Sequence, residues 1–297
     1  MIVITAPTGN IGRQLLTRLL ESAPAAGEEL RVVVRDPDRL PDEVRGRVEV
    51  VTGSHAEPAV LDRAFEGADA VFWLVPPDAS LTPRQAYSGF SRPAVSALAA
   101  HGVGQVVGVS ALGRGTAVAD SAGLVTASLA MDDLIAGTGV GYRALACPSF
   151  FENLLEETAS IREKGVFTDN VDADRKAPRV AVADIAAVAA GLLLDRSWTG
   201  SDSVPVLGPQ DLSPNDLAQI MTEQLGRPVR YERQPFDELS ATLVGYGLNE
   251  AFVQGIVDMK RAKDAGLDAG VARTPATASP TTFEQWCAQT LRPALLA

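Results

Sequence analysis

The chain has 297 residues, of which 46% are hydrophobic and 21% charged, and its 37 acidic and 26 basic residues give a formal net charge of −11. These values are typical of a globular protein with one large or two modest domains. The negative charge argues against partners such as nucleic acid or an anionic membrane, since both require basic surface. Two cysteines and two histidines exclude a disulfide framework and a zinc module, so no metal is expected. With no targeting segment in view, we expect a cytoplasmic protein.

Short apolar segments alternate with amphipathic ones through the first half of the chain. Residues 10–21 place leucines on one helical face and charged side chains on the other, as a surface helix does. Strands are predicted at Ile2–Thr5, Leu30–Val34, Val48–Val51, Ala70–Val75, Gln105–Ser110 and Tyr142–Ala146, and further helices at Pro58–Phe65, Pro83–Ala100 and Thr126–Ala136. This alternation predicts an α/β fold with a doubly wound parallel sheet of Rossmann type.

The alternation stops after about Pro148. We expect residues 1–150 to form a dinucleotide-binding domain that also receives later segments such as 178–200. Residues 151–297 are expected to form a smaller C-terminal α/β lobe that serves a substrate or a partner. Within this part, Asp184 is predicted to cap a helix over Asp184–Leu194, and Ser213 to cap the next helix ahead of Pro214.

The loop between the first strand and the first helix carries the strongest chemical signal, the spacing Ala6-x-x-Gly9-x-x-Gly12. Backbone N–H groups at such a helix N-terminus bind a pyrophosphate. Gly9 would let the backbone approach the anion, and Gly12 would let the helix pack on the strand. Ala6 replaces the usual first glycine, which a small residue can do if the turn keeps φ below zero. The residues predicted to bind the cofactor here are Ala6, Thr8, Gly9, Asn10, Ile11 and Gly12.

The end of the second strand indicates which dinucleotide is bound. Arg35 stands where NAD enzymes place a carboxylate for the ribose 2′-hydroxyl, and an arginine there suits the 2′-phosphate of NADP. Arg39 could assist, although the adjacent Asp36 weakens the inference, and a solvated strand-end arginine is the alternative. We therefore expect NADP(H) to be preferred over NAD(H). Later strand ends add Ser54, Val75, Pro76 and Ser110 to the predicted cofactor site, while His55 could border the adenine or lie at the surface.

Several short motifs together resemble the NmrA-like family of atypical short-chain dehydrogenase/reductases over nearly the whole chain. They are Thr5–Gly12, Val34–Pro37, Val109–Gly113, Pro148–Asn153, Val182–Ala186, Leu225–Val229 and Thr282–Trp286. The resemblance implies a Rossmann-like, NAD(P)-binding protein. It also implies that some members act as redox sensors or as regulators that contact a transcription factor.

One family feature is absent, the Tyr-x-x-x-Lys pair. In this pair the tyrosine protonates the nascent alkoxide, and the lysine lowers the pKa of the tyrosine. Counting back from Asn153, Leu124 falls at the tyrosine position and Ser128 at the lysine position. Ser110 is left as a weak catalytic candidate. The predicted substrate pocket contains Leu112, Phe150, Phe151 and Asn153, with core packing as the alternative for the two phenylalanines and a structural role as the alternative for Asn153.

Hydride transfer itself needs no protein acid, because the cofactor supplies the hydride. Our leading hypothesis is an NADPH-dependent reductase of a small-molecule substrate that is conjugated or cationic: a quinone, enone, azo or nitro compound, or iminium ion. The alternatives are a non-catalytic NADP(H) sensor with a protein partner, or the same fold used for non-redox chemistry. The sequence leaves a homo-oligomer open.

Overall fold

A seven-stranded parallel sheet organises the computed structural model, which describes residues 1–296. The strands, in chain order, are β1 (Ile2–Thr5), β2 (Leu30–Val34), β3 (Glu49–Thr52), β4 (Ala70–Trp73), β5 (Gln105–Ala111), β6 (Gly141–Cys147), β7 (Ser149–Phe150), β8 (Val166–Asp169), β9 (Ala177–Val180), β10 (Ser201–Pro205), β11 (Asp211–Leu212) and β12 (Arg230–Arg233). The large sheet has the order β10-β6-β5-β4-β1-β2-β3. The strand order reverses between β1 and β4, which creates the crevice that binds ligands in open α/β sheets. The predicted doubly wound fold is confirmed.

Helices cover both faces of this sheet. They are α1 (Asn10–Ser22), α2 (Asp42–Arg45), α3 (Pro58–Phe65), α4 (Phe90–His101), α5 (Leu124–Ala136), α6 (Thr158–Lys164), α7 (Val182–Leu194), α8 (Pro214–Leu225), α9 (Phe236–Gly245), α10 (Glu250–Asp264), α11 (Phe283–Trp286) and α12 (Arg292–Leu296). A π-helical turn over Gln85–Gly89 precedes α4, and a 3₁₀ segment over Phe151–Glu157 precedes α6.

The two sides of each central strand are buried against different helices. On β1, Ile2 and Ile4 pack with α1 and α7, whereas Val3 packs with α3 and α4. Side chains alternate between the faces of a strand, so a strand covered on both sides has to be apolar throughout. This explains the short, continuous apolar runs of the sequence.

The segments after residue 150 divide between this sheet and a smaller lobe. Helix α7 and strand β10 join the large sheet, where β10 pairs with β6 along the edge. The lobe contains the sheet β11-β9-β7, the pair β12-β8 and an apolar core that includes Phe151, Met221 and Trp286.

The two helix caps predicted in this part have different outcomes. Ser213 caps α8 and forms a reciprocal capping box with Asp216, as expected for Ser-Pro at a helix start. The prediction for Asp184 is wrong, because α7 begins at Val182 and Asp184 lies buried in its first turn. Its carboxylate instead accepts hydrogen bonds from the backbone N–H and hydroxyl of Thr281, at 3.1 and 2.8 Å. Asp184 therefore anchors the C-terminal segment rather than capping its helix.

Within residues 1–296, none of the helices combines the length and apolarity that a membrane crossing requires.

Two glycine substitutions test how closely α1 packs on β1. A Cβ atom at Gly12 would lie 2.1 Å from the carbonyl oxygen of Ala6, whereas a Cβ at Gly191, exposed in α7, meets nothing within 4 Å. We expect G12A to lower the free energy of unfolding by about 1–3 kcal/mol through overpacking, and G191A to raise it by about 0.5–1 kcal/mol through helix propensity. Urea denaturation measures both, and equal stabilities for G12A and the wild type would contradict the close approach.

Candidate functional site

The loop after β1 bends sharply before α1 begins. Its turn is closed by the N–H of Gly9, which donates to the carbonyl oxygen of Ala6 at 3.1 Å. Ala6 has φ +49°, the one positive φ among the non-glycine residues of 1–296, so the expectation of a negative φ is wrong. Such a conformation costs an L-residue about 1–2 kcal/mol, and it persists because Gly12 packs directly against that carbonyl.

The N-terminus of α1 is available to bind an anion. Gly9 occupies the N-cap in an extended conformation, and no side chain in the described part of the chain caps this helix. Its first N–H groups therefore retain the donors and the positive helix dipole that attract a phosphate. Thr8, Gly9 and Asn10 are half-buried to exposed at this end, whereas Ile11 is buried in the sheet core.

Arginines surround the outer side of this loop. Arg35 follows β2 and Arg39 ends a 3₁₀ turn, and both side chains are exposed. A groove of about 510 Å³ runs between α1 and residues 39–47, lined by Thr8, Arg13 and Arg39 among others. The sequence analysis missed Arg13, although its position directly after Gly12, in the first turn of α1, is a usable signal. Asp36 accepts a hydrogen bond from the N–H of Asp38, so its carboxylate is engaged in the turn.

Three further predicted cofactor residues follow β3 and β4, and none of them lines this groove. Ser54 accepts a hydrogen bond from the N–H of Ala56, and Val75 is buried while Pro76 is exposed. These placements leave their predicted cofactor contacts untested.

His55 is buried, so its interpretation as a surface residue is wrong. The imidazole packs edge-on against Trp73 and Phe90, and its Nε2 lies 3.0 Å from the carbonyl oxygen of Leu74. Burial, assisted by the nearby positive charge of Arg35, lowers its pKa. The ring is therefore neutral at pH 7 and supports the carboxyl ends of β3 and β4.

Ser110, near the end of β5, belongs to a buried polar network. Its hydroxyl donates to Asp132 Oδ2 at 2.5 Å, and the phenol of Tyr142 donates to Asp132 Oδ1 at 2.7 Å. A nearby guanidinium, that of Arg114, lies 3.8 Å from the same carboxylate. Burial raises the pKa of Asp132 to about 6, although the two hydroxyl donors and Arg114 oppose the change. The sequence analysis missed both Asp132 and Tyr142.

Space for the phenol is provided by a glycine in β5. A Cβ atom at Gly108 would lie 2.3 Å from Tyr142 Oη. The glycine therefore lets Tyr142 reach along the sheet from β6 to the carboxylate.

The positions counted for the missing Tyr-x-x-x-Lys pair lie in α5, beside this network. Ser128 Oγ lies 3.5 Å from Ser110 Oγ, which places the counted lysine position next to Ser110. Leu124 packs against Phe252 and Ala86. An apolar contact thus replaces the proton-donating tyrosine.

The four residues of the predicted substrate pocket have different surroundings. Leu112 packs with neighbours from β6 and the 206–208 segment, and Phe150 is half-buried at the sheet edge. Phe151 is 2% exposed and packs against Phe283 in the lobe core, so core packing is the interpretation that its structure supports. Asn153 is exposed in the 3₁₀ segment.

A charged cluster occupies the junction of the two parts, close to the end of β6. Asp169 Oδ1 binds Lys260 Nζ at 2.7 Å, and Lys263 Nζ binds Asp268 at 2.6 Å. Arg179 is 9% exposed and its Nε has no hydrogen-bond partner. Although burial alone would raise the pKa of Asp169, the charges of Lys260 and Arg179 hold it below its ordinary value. With exposed Arg175 at its rim, this cluster has four cations against two carboxylates.

The fold, together with the loop between β1 and α1 (residues 6–9, here called the phosphate loop), defines a dinucleotide-binding protein of the Rossmann class. Residues 7–196 match the family model described as NAD(P)H-binding, and the chain belongs to that family. No group of histidine, cysteine, aspartate or glutamate side chains in residues 1–296 is arranged to hold a metal ion.

The chain is similar over its length to several known reductases. It is 29% identical to (4-alkanoyl-5-oxo-2,5-dihydrofuran-3-yl)methyl phosphate reductase of Streptomyces griseus, over 97% of both chains. Identity to NAD(P)H azoreductase of Xenophilus azovorans is 28%, over 92% of this chain and 91% of the relative. In structure it resembles the triphenylmethane reductase of Citrobacter sp. complexed with NADP(H), with a TM-score of 0.79, 21% identity and coverage of 96% and 98% of the two chains.

The raised pKa of Asp132 predicts how stability depends on pH. In the unfolded chain the carboxyl ionises near its ordinary value of 3.8 and in the folded protein near 6, so the folded state binds the extra proton between these values. Its contribution to stability is therefore present below about pH 4 and is lost as pH rises through about 6, with a loss of about 3 kcal/mol.

Comparison with D132N isolates this contribution. We expect the wild type, relative to D132N, to lose free energy of unfolding as the pH rises from 4 to 7, measured by urea denaturation at each pH. D133N is the matched control, because the neighbouring Asp133 side chain is 68% exposed and pairs with Arg114 at the surface. A constant difference between wild type and D132N across this range would contradict the burial of an ionisable carboxyl.

Proposed function

We propose that the protein is an NADPH-dependent reductase of a conjugated small-molecule acceptor. The observation that carries this proposal is the combination of an uncapped, glycine-lined α1 N-terminus with Leu124 at the place of the usual proton-donating tyrosine. A bound nicotinamide would supply hydride, and acceptors whose reduced anion is stabilised by conjugation need little further help. The names of similar proteins, an azoreductase and the quinone oxidoreductase 2 of Escherichia coli, support the same class.

Three arginines near the loop between β1 and α1 favour NADPH over NADH: Arg13 and Arg39 line the groove, and Arg35 follows β2 outside its lining. Arg13, Arg35 and Arg39 would hold the 2′-phosphate, for which guanidinium groups are well suited because they form charge-assisted, bidentate hydrogen bonds. The pyrophosphate would lie on the N–H groups of α1. Asp36 Oδ1 accepts a hydrogen bond within its own turn, so part of its carboxylate is already used there.

Arginine-to-alanine variants test the cofactor preference. We expect R13A, R35A and R39A each to weaken NADPH binding by about tenfold to a hundredfold, the value of a charge-assisted contact of about 1.5–3 kcal/mol, with little change for NADH. R18A is the control, because Arg18 is exposed on the same helix but does not line the groove. Titration of nicotinamide fluorescence gives both dissociation constants, and equal losses for the two cofactors would refute the assignment.

The charged cluster at the junction indicates which charge type of acceptor the protein would prefer. Since four cations face two carboxylates near the end of β6, a neutral or anionic conjugated acceptor is favoured over a cationic dye. A relative named as a reductase of a phosphate ester is consistent with this choice. The enone or quinone would be the reacting group, and an attached phosphate or carboxylate would provide binding energy.

Turnover of an acceptor panel tests the reaction and the charge preference together. We expect NADPH absorbance at 340 nm to fall with a quinone and with an enone lactone phosphate, and less with a triarylmethane cation. R175E, which reverses an exposed rim charge, should lower kcat/KM several-fold for the phosphate ester and leave the neutral quinone unchanged. K164E, an exposed charge reversal on α6, is the matched control. Tight NADPH binding with no turnover of any acceptor would instead favour the sensor hypothesis.

A further inference from the structure

The network around Ser110 links the crevice side of the sheet to a separate cavity. Ser110 lies two residues beyond Gly108, the last residue of β5 that pairs with β4, so it lies past the carboxyl end of β4, one of the two strands that border the crevice. On the other side of Asp132, a cavity of about 270 Å³ is lined by Arg114, Asp132, Tyr142 and the β10 residues Ser201–Ser203. Asp132 therefore lies between Ser110 and a second cavity.

We propose that Asp132 and Ser110 form a proton relay that replaces the missing tyrosine–lysine pair and draws its protons from the cavity beside β10. This inference rests on the proposed reductase function. In it, Ser110 is the catalytic residue, because its hydroxyl would touch the reduced substrate. Asp132 is a positioning residue that acts through Ser110.

The chemistry balances in three proton movements and one hydride transfer. Bound NADPH would supply hydride to the electrophilic carbon or nitrogen of the acceptor, whose π bond would open to give a conjugated anion, with NADP⁺ as the other product. That anion takes the proton of Ser110 Oγ as the serine hydroxyl takes the carboxyl proton of Asp132. A proton from bulk solvent, delivered as hydronium through the cavity, then reprotonates the Asp132 carboxylate and leaves neutral water. General acid catalysis of this kind typically contributes about 10²–10⁴-fold.

The surroundings of Asp132 suit this role. The side chain is 5% exposed, and burial raises its pKa to about 6, so it is partly protonated near neutral pH. The charged and titratable groups that shift its pKa are Tyr142 of β6, Arg114 of the loop after β5 and the adjacent Asp133 of α5, and Asp202 of β10 lines the same cavity. The hydroxyl of Ser110, at 2.5 Å, is close enough for direct transfer.

Tyr142 sets the proton affinity of the relay. Its phenol donates to Asp132 Oδ1, which stabilises the ionised carboxylate. The burial of Tyr142 raises its own pKa well above the ordinary value, and Asp132 adds to this effect. The phenol therefore remains a hydrogen-bond donor at all physiological pH values and does not itself release a proton.

The test uses kcat profiles between pH 5 and 9 for the full chain with NADPH and one acceptor that it turns over. We expect the wild-type kcat to fall as pH rises through the pKa of Asp132. D132N should show a kcat at least tenfold lower and without that pH dependence, with unchanged NADPH affinity. S110A should show the same loss of kcat and of pH dependence. Y142F should move the midpoint to higher pH, because the ionised carboxylate loses a hydrogen bond. D133N should keep the wild-type kcat at low pH, and its midpoint should move slightly to lower pH, because the negative charge of Asp133 raises the pKa of Asp132.

A second readout needs no cofactor or acceptor. The infrared band of a protonated carboxyl group should titrate near pH 6 in the wild type, be absent in D132N and shift to higher pH in Y142F. A purely structural Asp132 would make D132N both less stable and slower, whereas a relay makes it slower while its stability at pH 7 is equal or higher.

The outcomes separate the relay from the reductase function. If the wild type turns over the acceptor and D132N keeps the same kcat and pH profile, the relay is overturned and the reductase function stands. No NADPH consumption with any acceptor overturns the proposed function and, with it, the relay. If D132N fails to fold, the pH profile of kcat in Y142F decides the question. A midpoint equal to that of the wild type overturns the relay.

Discussion

The close approach of α1 to β1 is the contact on which the candidate site depends. Gly12 packs so near the carbonyl of Ala6 that no side chain fits between them, and this contact fixes where the helix N-terminus points. The alanine accepts an unfavourable positive φ to make the turn. As a result, the uncapped N–H groups of α1 face the crevice formed where the strand order reverses between β1 and β4. The arginines after β2 and at the start of α1 then lie around the same point.

Much of this arrangement could be predicted from the sequence, because it follows from local patterns. Strands covered on both faces read as continuous apolar runs, and the glycine spacing after Thr5 directly marks a helix N-terminus. The errors also have local causes. Asp184 has the residue type of an N-cap, but its partner Thr281 lies 97 positions further along the chain. The φ of Ala6 depends on how deeply Gly12 packs, which no residue type reveals.

The Ser110 network could not be predicted because its members meet only through strand register. Ser110 pairs with Ala146, and Tyr142 lies four residues earlier on the same face of β6. Its ring reaches the carboxylate of Asp132 only because Gly108 leaves the intervening space open. Counting along α5 located Ser128 beside Ser110 and Leu124 one turn earlier, yet gave no reason to extend the count one further turn to Asp132. The chemistry of this site is thus distributed over two strands and a helix.

The return of the chain to the large sheet has a consequence for synthesis. The apolar face of β4, β5 and β6 that packs on α7 stays partly uncovered until residues 182–194 have been made, and β6 remains an open edge until β10 follows. A ribosome therefore releases the phosphate loop long before the sheet behind it is complete. The nucleotide-binding part cannot complete its fold until α7 has been made, and α7 follows the residues that form the beginning of the lobe. The two parts therefore fold together rather than one after the other.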